Sequence, residues 1–526
     1  MRLPARWSLP RLGKPELAVL ISGVSSMGLE ILAGRMIAPA FGSSIYTWGS
    51  IIGVFLAALS LGYYRGGKRA ATRARVGELT TILLWTAGYV AFLLFAGDFL
   101  LRVSAAVPVP GRFSPLVPVT LLFGPPTYLL GFISPYAAEL STTENTGEAS
   151  GQVYALGTTG SIVGAFGTTF VLIPTFSIEI IGLLFGSLLV LTAVRLSWPG
   201  LTARGAIRIG VVAVLLGAAV AGPSYGVAVT GQTVYHTQTA YQELHVVDRG
   251  DIRTLYLDGQ PHSAMDLEEP DRHVFTYTRY FHLPLLMTED VDRVLFIGGG
   301  GFTGPRIFAE TYDVQVDVVE IDPEVVRVAK EHFGVGPASN MEIHVDDGRQ
   351  FLRETEQTYD VIVLDAYRKD KVPFQLTTAE FFELTREHLD EDGVLLANII
   401  SAPGGPGSQF FRAEYKTVST VYPQVYAFRT AAPGLVQNVE IVASKRSERF
   451  TMAELQVRHR ERPIGYDVGD ALNRSVGDVN TADVPVLRDG KAPVDALIDP
   501  MLGRKYFVEQ ATEGNTTEVT TPVAVG

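Results

Sequence analysis

Apolar residues dominate the first part of the chain in long unbroken stretches, and only later do they alternate with polar ones. From Leu17 to about Gly226 there are seven such stretches, at approximately 17–41, 46–64, 79–101, 115–138, 151–174, 178–196 and 206–225. At a helical rise of about 1.5 Å per residue, each is long enough to cross the hydrocarbon core of a bilayer. The pattern predicts an α-helical polytopic membrane domain of about seven helices. The first stretch outruns the apolar core of a signal peptide, contains Glu30 and Arg35, and is followed by six more, so it reads as a spanning helix. Residues 234–260 alternate in the manner of short strands, with Arg249-Gly250-Asp251 as a hairpin turn. Fully apolar runs then recur between helical stretches, the pattern of buried strands in an α/β sheet.

Composition sharpens this division. The 526 residues are 47% apolar and 19% charged, with 53 glycines and no cysteine. Up to residue 230 there are 15 basic and 8 acidic side chains, net +7; beyond it there are 28 and 47, net −19. Two physically different regions share one chain. The absence of cysteine excludes disulfides, thiolate metal sites and a cysteine nucleophile. The nine histidines show no ligand spacing, so no metal is expected. Only 9 of the 43 basic residues are lysine, and with the acidic excess this suggests a salt-rich cytoplasm. Gly160 and Gly164, and Gly182 and Gly186, set small residues four apart, which favours close helix contact. Glu30 and Arg35, costly inside a spanning segment, are expected to pair within the bundle. Basic residues in the N-terminal arm (Arg2, Arg6, Arg11, Lys14) and between the second and third stretches (Arg65, Lys68, Arg69, Arg73, Arg75) belong in the cytoplasm by the positive-inside rule. Seven crossings would then put the acidic half outside the cell.

The acidic half carries the candidate chemistry. VDRVLFIGGGGFTGPRIF reads as a strand (Val294 to Ile297), a turn at Gly298 to Gly301 and a helix. VQVDVVEIDP supplies a second strand ending in Glu320, 22 residues after Gly298, the spacing at which a carboxylate reaches ribose hydroxyls. Glycine at 298 and 300 lets backbone approach a ligand, and an ionised Glu320 can accept two hydrogen bonds from a vicinal diol. The GxGxxG form is only partly met and no second mononucleotide half follows, so a nucleoside is favoured over a dinucleotide. HVDDGRQFL places Asp346 and Asp347 between a strand and a helix, where one could accept from an adenine amino group or simply cap the helix. YDVIVLDAY is a third buried strand with Asp365 at its C-terminal end, the edge where open α/β sheets bind ligands.

The ordered set TAYQELHVV, LYLDG, HLPLL, VLFIGGGG, VVEIDPEVV, VDDGRQFL and YDVIVLDAY followed by TTAEFF resembles the polyamine synthase family, the spermidine synthase-like aminopropyltransferases, in the form fused to a multi-helix membrane domain. The likeness covers 235 to about 445. It implies a Rossmann-like, methyltransferase-type sheet behind a small N-terminal β unit. It also implies a donor of the decarboxylated S-adenosylmethionine type and a small amine acceptor. By the same resemblance, Gln242 contacts the nucleoside, Glu320 the ribose, Asp347 the adenine amino group, and Asp365 deprotonates the attacking amine. The expected organisation is a transmembrane helical domain (1–226), a small β domain (227–290), a Rossmann-like catalytic domain (291–445) and a C-terminal extension with a disordered tail (446–526). The protein is then a multi-pass cell-membrane protein whose catalytic domain lies in the cytoplasm with its cofactor. This requires that the helix count be off by one or that the positive-inside rule fail. Lipid bilayer is the expected partner, nucleic acid is not, and a homo-oligomer is implied by resemblance alone.

Two departures stand out. Where the family carries an Asp for the donor's terminal amine this chain has Gly301, and where its catalytic loop carries a second Asp it has Arg368. The family's glutamine after LYLDG is also shifted, with Gln260 and His262 nearby. Asp266, Glu268, Glu269 and Asp370 are the candidates to replace the lost charges. Tyr277, Tyr280 and His282 lie near the expected substrate side but read more simply as core, and Lys369 and Lys371 as a solvated loop. The departures keep two other readings open: an S-adenosylmethionine-dependent methyl or alkyl transferase, and a non-catalytic nucleoside- or polyamine-binding regulator or transporter.

Overall fold

The computed structural model describes residues 12–510, apart from 43, 106, 108, 142–145, 222–230, 337–339, 370, 463 and 502–503. Arg2, Arg6 and Arg11, Asp370, the end of the seventh apolar stretch (222–225) and the tail from 511 onward lie outside the described residues. The chain divides into two compact units, Met1–Gly226 and Val227–Gly526.

The first unit is helical: α1 Lys14–Phe41, α2 Ile45–Arg73, α3 Val76–Ala105, α4 Leu116–Leu130, α5 Ile133–Leu140, α6 Thr146–Gly167, α7 Ile173–Thr175, α8 Ile178–Ser197 and α9 Ala203–Ala221. A single π turn, Thr168–Leu172, joins α6 to α7. Among the described residues six helical bodies are long and apolar enough to cross a membrane: Lys14–Ala38, Ile45–Arg73, Val76–Leu101, Leu116–Leu140, Gly147–Thr175 and Ile178–Ser197. The seventh expected stretch is α9, which packs against α3 and α8 and carries Arg204 and Arg208 in its first turns. The glycines do what their spacing suggests. A Cβ on Gly160 would lie 2.2 Å from the Leu20 carbonyl oxygen, and one on Gly164 2.3 Å from that of Val24, so α6 rests on the backbone of α1. Gly182 and Gly186 leave room for Leu94 and Leu216. Around this core, Leu56, Trp85, Phe99, Phe166, Phe170 and Leu191 face outward and are largely exposed.

The second unit opens with a four-stranded antiparallel sheet in sequence order: β1 Gln232–Gln238, β2 Glu243–Arg249, β3 Ile252–Leu257 and β4 Gln260–Asp266. The turn between β2 and β3 falls at Gly250, whose φ of 58° lies in the left-handed region. Leu244, Val246, Leu255, Leu257 and Met265 pack against Val325, Val328 and Phe333 of the larger layer.

That layer is a seven-stranded sheet of order β10-β11-β9-β8-β5-β6-β7, built from β5 Arg293–Ile297, β6 Gln315–Glu320, β7 Met341–Val345, β8 Tyr359–Leu364, β9 Leu389–Ser401, β10 Gln424–Arg429 and β11 Gln437–Ser444. Strands β5 to β9 pair in parallel, and β11 runs antiparallel to both neighbours. The connecting helices are α10 Thr303–Thr311, α11 Pro323–His332, α12 Gly348–Glu354, α13 Ala379–Glu387 and α14 Gln409–Val421. This order, with its antiparallel strand between β9 and β10, is the Rossmann-like methyltransferase-type fold. Strand order reverses between β5 and β8, which opens a crevice at their carboxyl ends. Val484, Leu487, Val494, Leu497, Ile498 and Met501 join the core beside β8 and β9, so the segment after β11 is part of this layer.

Candidate active site

The carboxyl edge of the parallel strands collects most of the singled-out residues. After β5 the chain makes a tight turn, with φ of 102° at Gly298, 52° at Gly300 and 57° at Phe302. A Cβ at 298 would sit 2.3 Å from the Asp365 carbonyl oxygen, so glycine is needed there for both conformation and space. The turn's amides are already engaged: Gly299 N and Gly300 N donate to Glu320 Oε2 at 2.9 and 3.3 Å, and Gly301 N donates to Ser263 Oγ at 2.9 Å. In a dinucleotide site these amides would face the pyrophosphate. Here a carboxylate occupies them, which disfavours a phosphate and leaves a nucleoside as the better fit.

Glu320 ends β6, almost fully buried. Its Oε1 accepts from Asp322 N at 3.0 Å, making three backbone donors in all. A carboxylate has about four lone-pair sites, so acceptor capacity remains for a ribose hydroxyl. Burial pushes its pKa up, against those three amides and with the charge of Asp322. Asp347 caps α12, Oδ1 accepting from Arg349 N and Gln350 N at 2.9 and 3.1 Å. Asp346 Oδ1 accepts from Asp347 N at 2.7 Å. The Tyr241 hydroxyl is pushed up by burial and then by the charges of Asp322, Glu320 and Asp347.

Asp365 follows β8 directly. Asn398 Nδ2 on neighbouring β9 donates to its Oδ1 at 2.7 Å. Asn398 is held in turn by Asn438 (2.9 Å), and Asn438 by Tyr506 (2.7 Å), a chain that fixes the carboxylate's orientation. Burial, with Glu320 adding to it and Asn398 opposing it, raises Asp365 to about 6. A carboxylate tuned to that value can hold and release a proton near neutrality.

Gln242 bridges two parts of the site: Nε2 approaches Asp322 Oδ2 at 3.5 Å, and Oε1 accepts from Arg368 Nη1 at 3.3 Å. The same Nη1 donates to Asp258 Oδ2 at 2.7 Å, both side chains about nine-tenths buried. The positive charge at 368 is therefore matched by Asp258, which sits at φ 48° in the turn before β4. His262 is held neutral, its pKa near 3 through burial and the Arg368 charge. Of the expected stand-ins among the described residues, Asp266 is engaged locally: it pairs with Arg272 and accepts from Glu268 N and Glu269 N, a turn at the end of β4. Among the tyrosines, Tyr277 and Tyr280 are buried, donating to the carbonyls of His262 and Arg429. His282 bonds His273 and Tyr312 in the core. Lys371 reaches the Tyr241 carbonyl at 3.3 Å. Among the described residues two groups of metal-ligating type do form away from this site: His236 and His245, paired across β1 and β2, approach Glu243 Oε1 at 3.0 and 3.1 Å, and His344 meets Asp317 and Glu342. Linear spacing hides a grouping made by strand pairing.

Residues 274–452 match the spermine/spermidine synthase domain. A polyamine aminopropyltransferase of Vibrio vulnificus is 32% identical over 207 residues, 38% of this chain and 68% of that one. The chain belongs to the spermidine synthase-like aminopropyltransferase family. A polyamine aminopropyltransferase of Oceanobacillus iheyensis is 24% identical over 425 residues, 76% of this chain and 78% of that one, more than the second unit alone holds. The spermidine synthase of Thermotoga maritima superposes with a TM-score of 0.39 at 21% identity, covering 47% of this chain and 84% of that one. The resemblance drawn from the motifs is thus borne out, and the two departures acquire a setting. In this aminopropyltransferase the space beside Gly301 is taken by Ser263, whose Cβ a side chain at 301 would meet at 2.7 Å. One carboxylate that sequence reasoning missed, Glu440 on β11, is buried with Asp365 acting on its charge. Its only linear signal is an acid inside the apolar run VEIVAS.

Proposed function

We propose that this chain is a membrane-embedded aminopropyltransferase that moves an aminopropyl group from decarboxylated S-adenosylmethionine to a small aliphatic amine. The observation that carries the reading is Asp365, a half-buried carboxylate at the crevice, raised to about 6 and aimed by Asn398. Glu320 would take the donor's ribose hydroxyls, Gln242 and Asp347 would flank its nucleoside, and the Gly298 turn would let it approach. The acceptor's ammonium gives its proton to Asp365. The freed nitrogen lone pair attacks the propyl carbon bound to sulfur, the carbon–sulfur bond breaks, and its electron pair returns to sulfur as a neutral thioether. Such a leaving group is already activated, so positioning and a negative field account for most of the acceleration.

The outward-facing Leu56, Trp85, Phe99, Phe170 and Leu191 support lipid as the surroundings of the first unit. Six crossings, with the basic 65–75 segment inside, would put the second unit in the cytoplasm beside its donor, and a seventh at α9 would put it outside. The reading is tested by mass spectrometry of the detergent-solubilised protein with an amine panel and either decarboxylated or ordinary S-adenosylmethionine, beside Asp365→Asn. An aminopropylated amine that disappears in the variant supports it. A methylated product would favour the methyltransferase reading, and binding without turnover the non-catalytic one.

A further inference from the structure

Glu440 stands out among the carboxylates of this protein. It is fully buried in β11, and neither oxygen has a hydrogen-bond partner. Strand register sets it directly opposite Asn398 on β9, the residue that donates to Asp365. Directly opposed residues on paired strands project from one face, so Glu440 shares the face of the sheet that holds the base. The surrounding hydroxyls are committed elsewhere: Tyr277 donates to His262 O, Tyr280 to Arg429 O and Tyr506 to Asn438 Oδ1. Burial and then the Asp365 charge push the Glu440 pKa well up. The charge of Glu440 in turn contributes to raising each of the three tyrosines.

A buried carboxylate with no partner is costly to keep, and its persistence beside a catalytic base points to a partner that arrives with the substrate. We propose that Glu440 is the carboxylate that receives the non-reacting ammonium of a short aliphatic diamine, while Asp365 receives the nitrogen that reacts. The inference rests on the aminopropyl-transfer reading and deepens it. The family's two further acids are absent at 301 and 368, one space filled by Ser263 and the other charge matched by Asp258. Glu440 restores an acidic contact from a different strand. Tyr277, Tyr280 and Tyr506 would flank the diamine's methylene chain, as aromatic rings do around alkyl ammonium groups.

The test is calorimetric binding to the full-length protein in detergent, with methylthioadenosine filling the donor site. The probes are diamines of three to five carbons and butylamine as the monoamine control. Wild type should bind at least one diamine ten-fold or more tighter than butylamine. Glu440→Gln and Glu440→Leu should erase that preference while leaving methylthioadenosine affinity unchanged. Glu440→Leu should also raise the melting temperature of the unliganded protein, because it removes a buried polar group that no protein group satisfies. Unaltered diamine preference in either variant, or no preference in wild type, overturns the inference. A fall in melting temperature for both variants assigns Glu440 a structural role instead. Turnover followed in parallel separates the two levels. Diamine binding that depends on Glu440 without aminopropylated product sinks the reaction and keeps the site. Normal turnover in Glu440→Gln with unchanged acceptor KM sinks the site alone.

Discussion

Asp365 is where residue-scale chemistry is most exposed to test. Proton removal needs its ionised form, and burial raises it to about 6, so kcat/KM should rise with pH through about 6 and level off above. Asp365→Asn should cost on the order of 10²–10⁴-fold in turnover with donor binding retained. The same shift has a stability consequence of definite sign. The folded state binds this proton more tightly than the unfolded chain, so the contribution is fully present below the ordinary carboxylate range and is lost as pH rises through about 6. The melting temperature of wild type should therefore fall relative to Asp365→Asn between pH 4 and pH 7, and equal slopes for the two proteins would contradict this. Arg368 is testable in the same way. Arg368→Ala leaves Asp258 buried without its cation and should destabilise by about 3–5 kcal/mol in chemical denaturation. Gly301→Asp should not rebuild the family's acid, because Ser263 occupies the space; activity should drop, and Ser263→Gly added to it should recover part of the loss.

Element-scale packing explains which parts of the fold could be anticipated. Strands β5, β6 and β8 are apolar runs buried on both faces, and such runs are legible from sequence alone. Strand β11 was not, since Gln437, Asn438 and Glu440 are polar residues that face inward. Asn438 finds its partners on β9 and at Tyr506, and no local pattern announces a hydrogen-bond network assembled from distant segments. The small-residue spacing in α6 was legible for the opposite reason, because a helix's own geometry aligns positions four apart. Gly164→Leu should push α6 off the Val24 backbone and lower the detergent melting temperature, an overpacking cost of about 1–3 kcal/mol. No change in melting would mean that α1 and α6 are not held by this contact.

At the scale of the whole molecule, the proposed reading gives the two units different surroundings, and sidedness is the property that most needs measurement. Reporter fusions after residue 226 and in the 65–75 segment should both report the cytoplasm; opposite sides would return the count to seven crossings and remove the second unit from its donor. Apolar length and the charge imbalance between the two halves were written in the chain itself, because solvent preference is a property of residue type summed over a segment. The strand–turn–helix corner was legible too: a glycine turn between strand and helix, an acid 22 residues on and an aspartate at the end of a buried strand are local features, each next to the backbone that positions it. Tertiary structure alone decided that Arg368 is neutralised by Asp258, that Ser263 fills the gap at Gly301, and that Glu440 stands across Asn398 from Asp365. The first two join residues 110 and 38 apart in the chain, and the free energy of a buried polar group depends on what folding brings near it, which no linear spacing encodes.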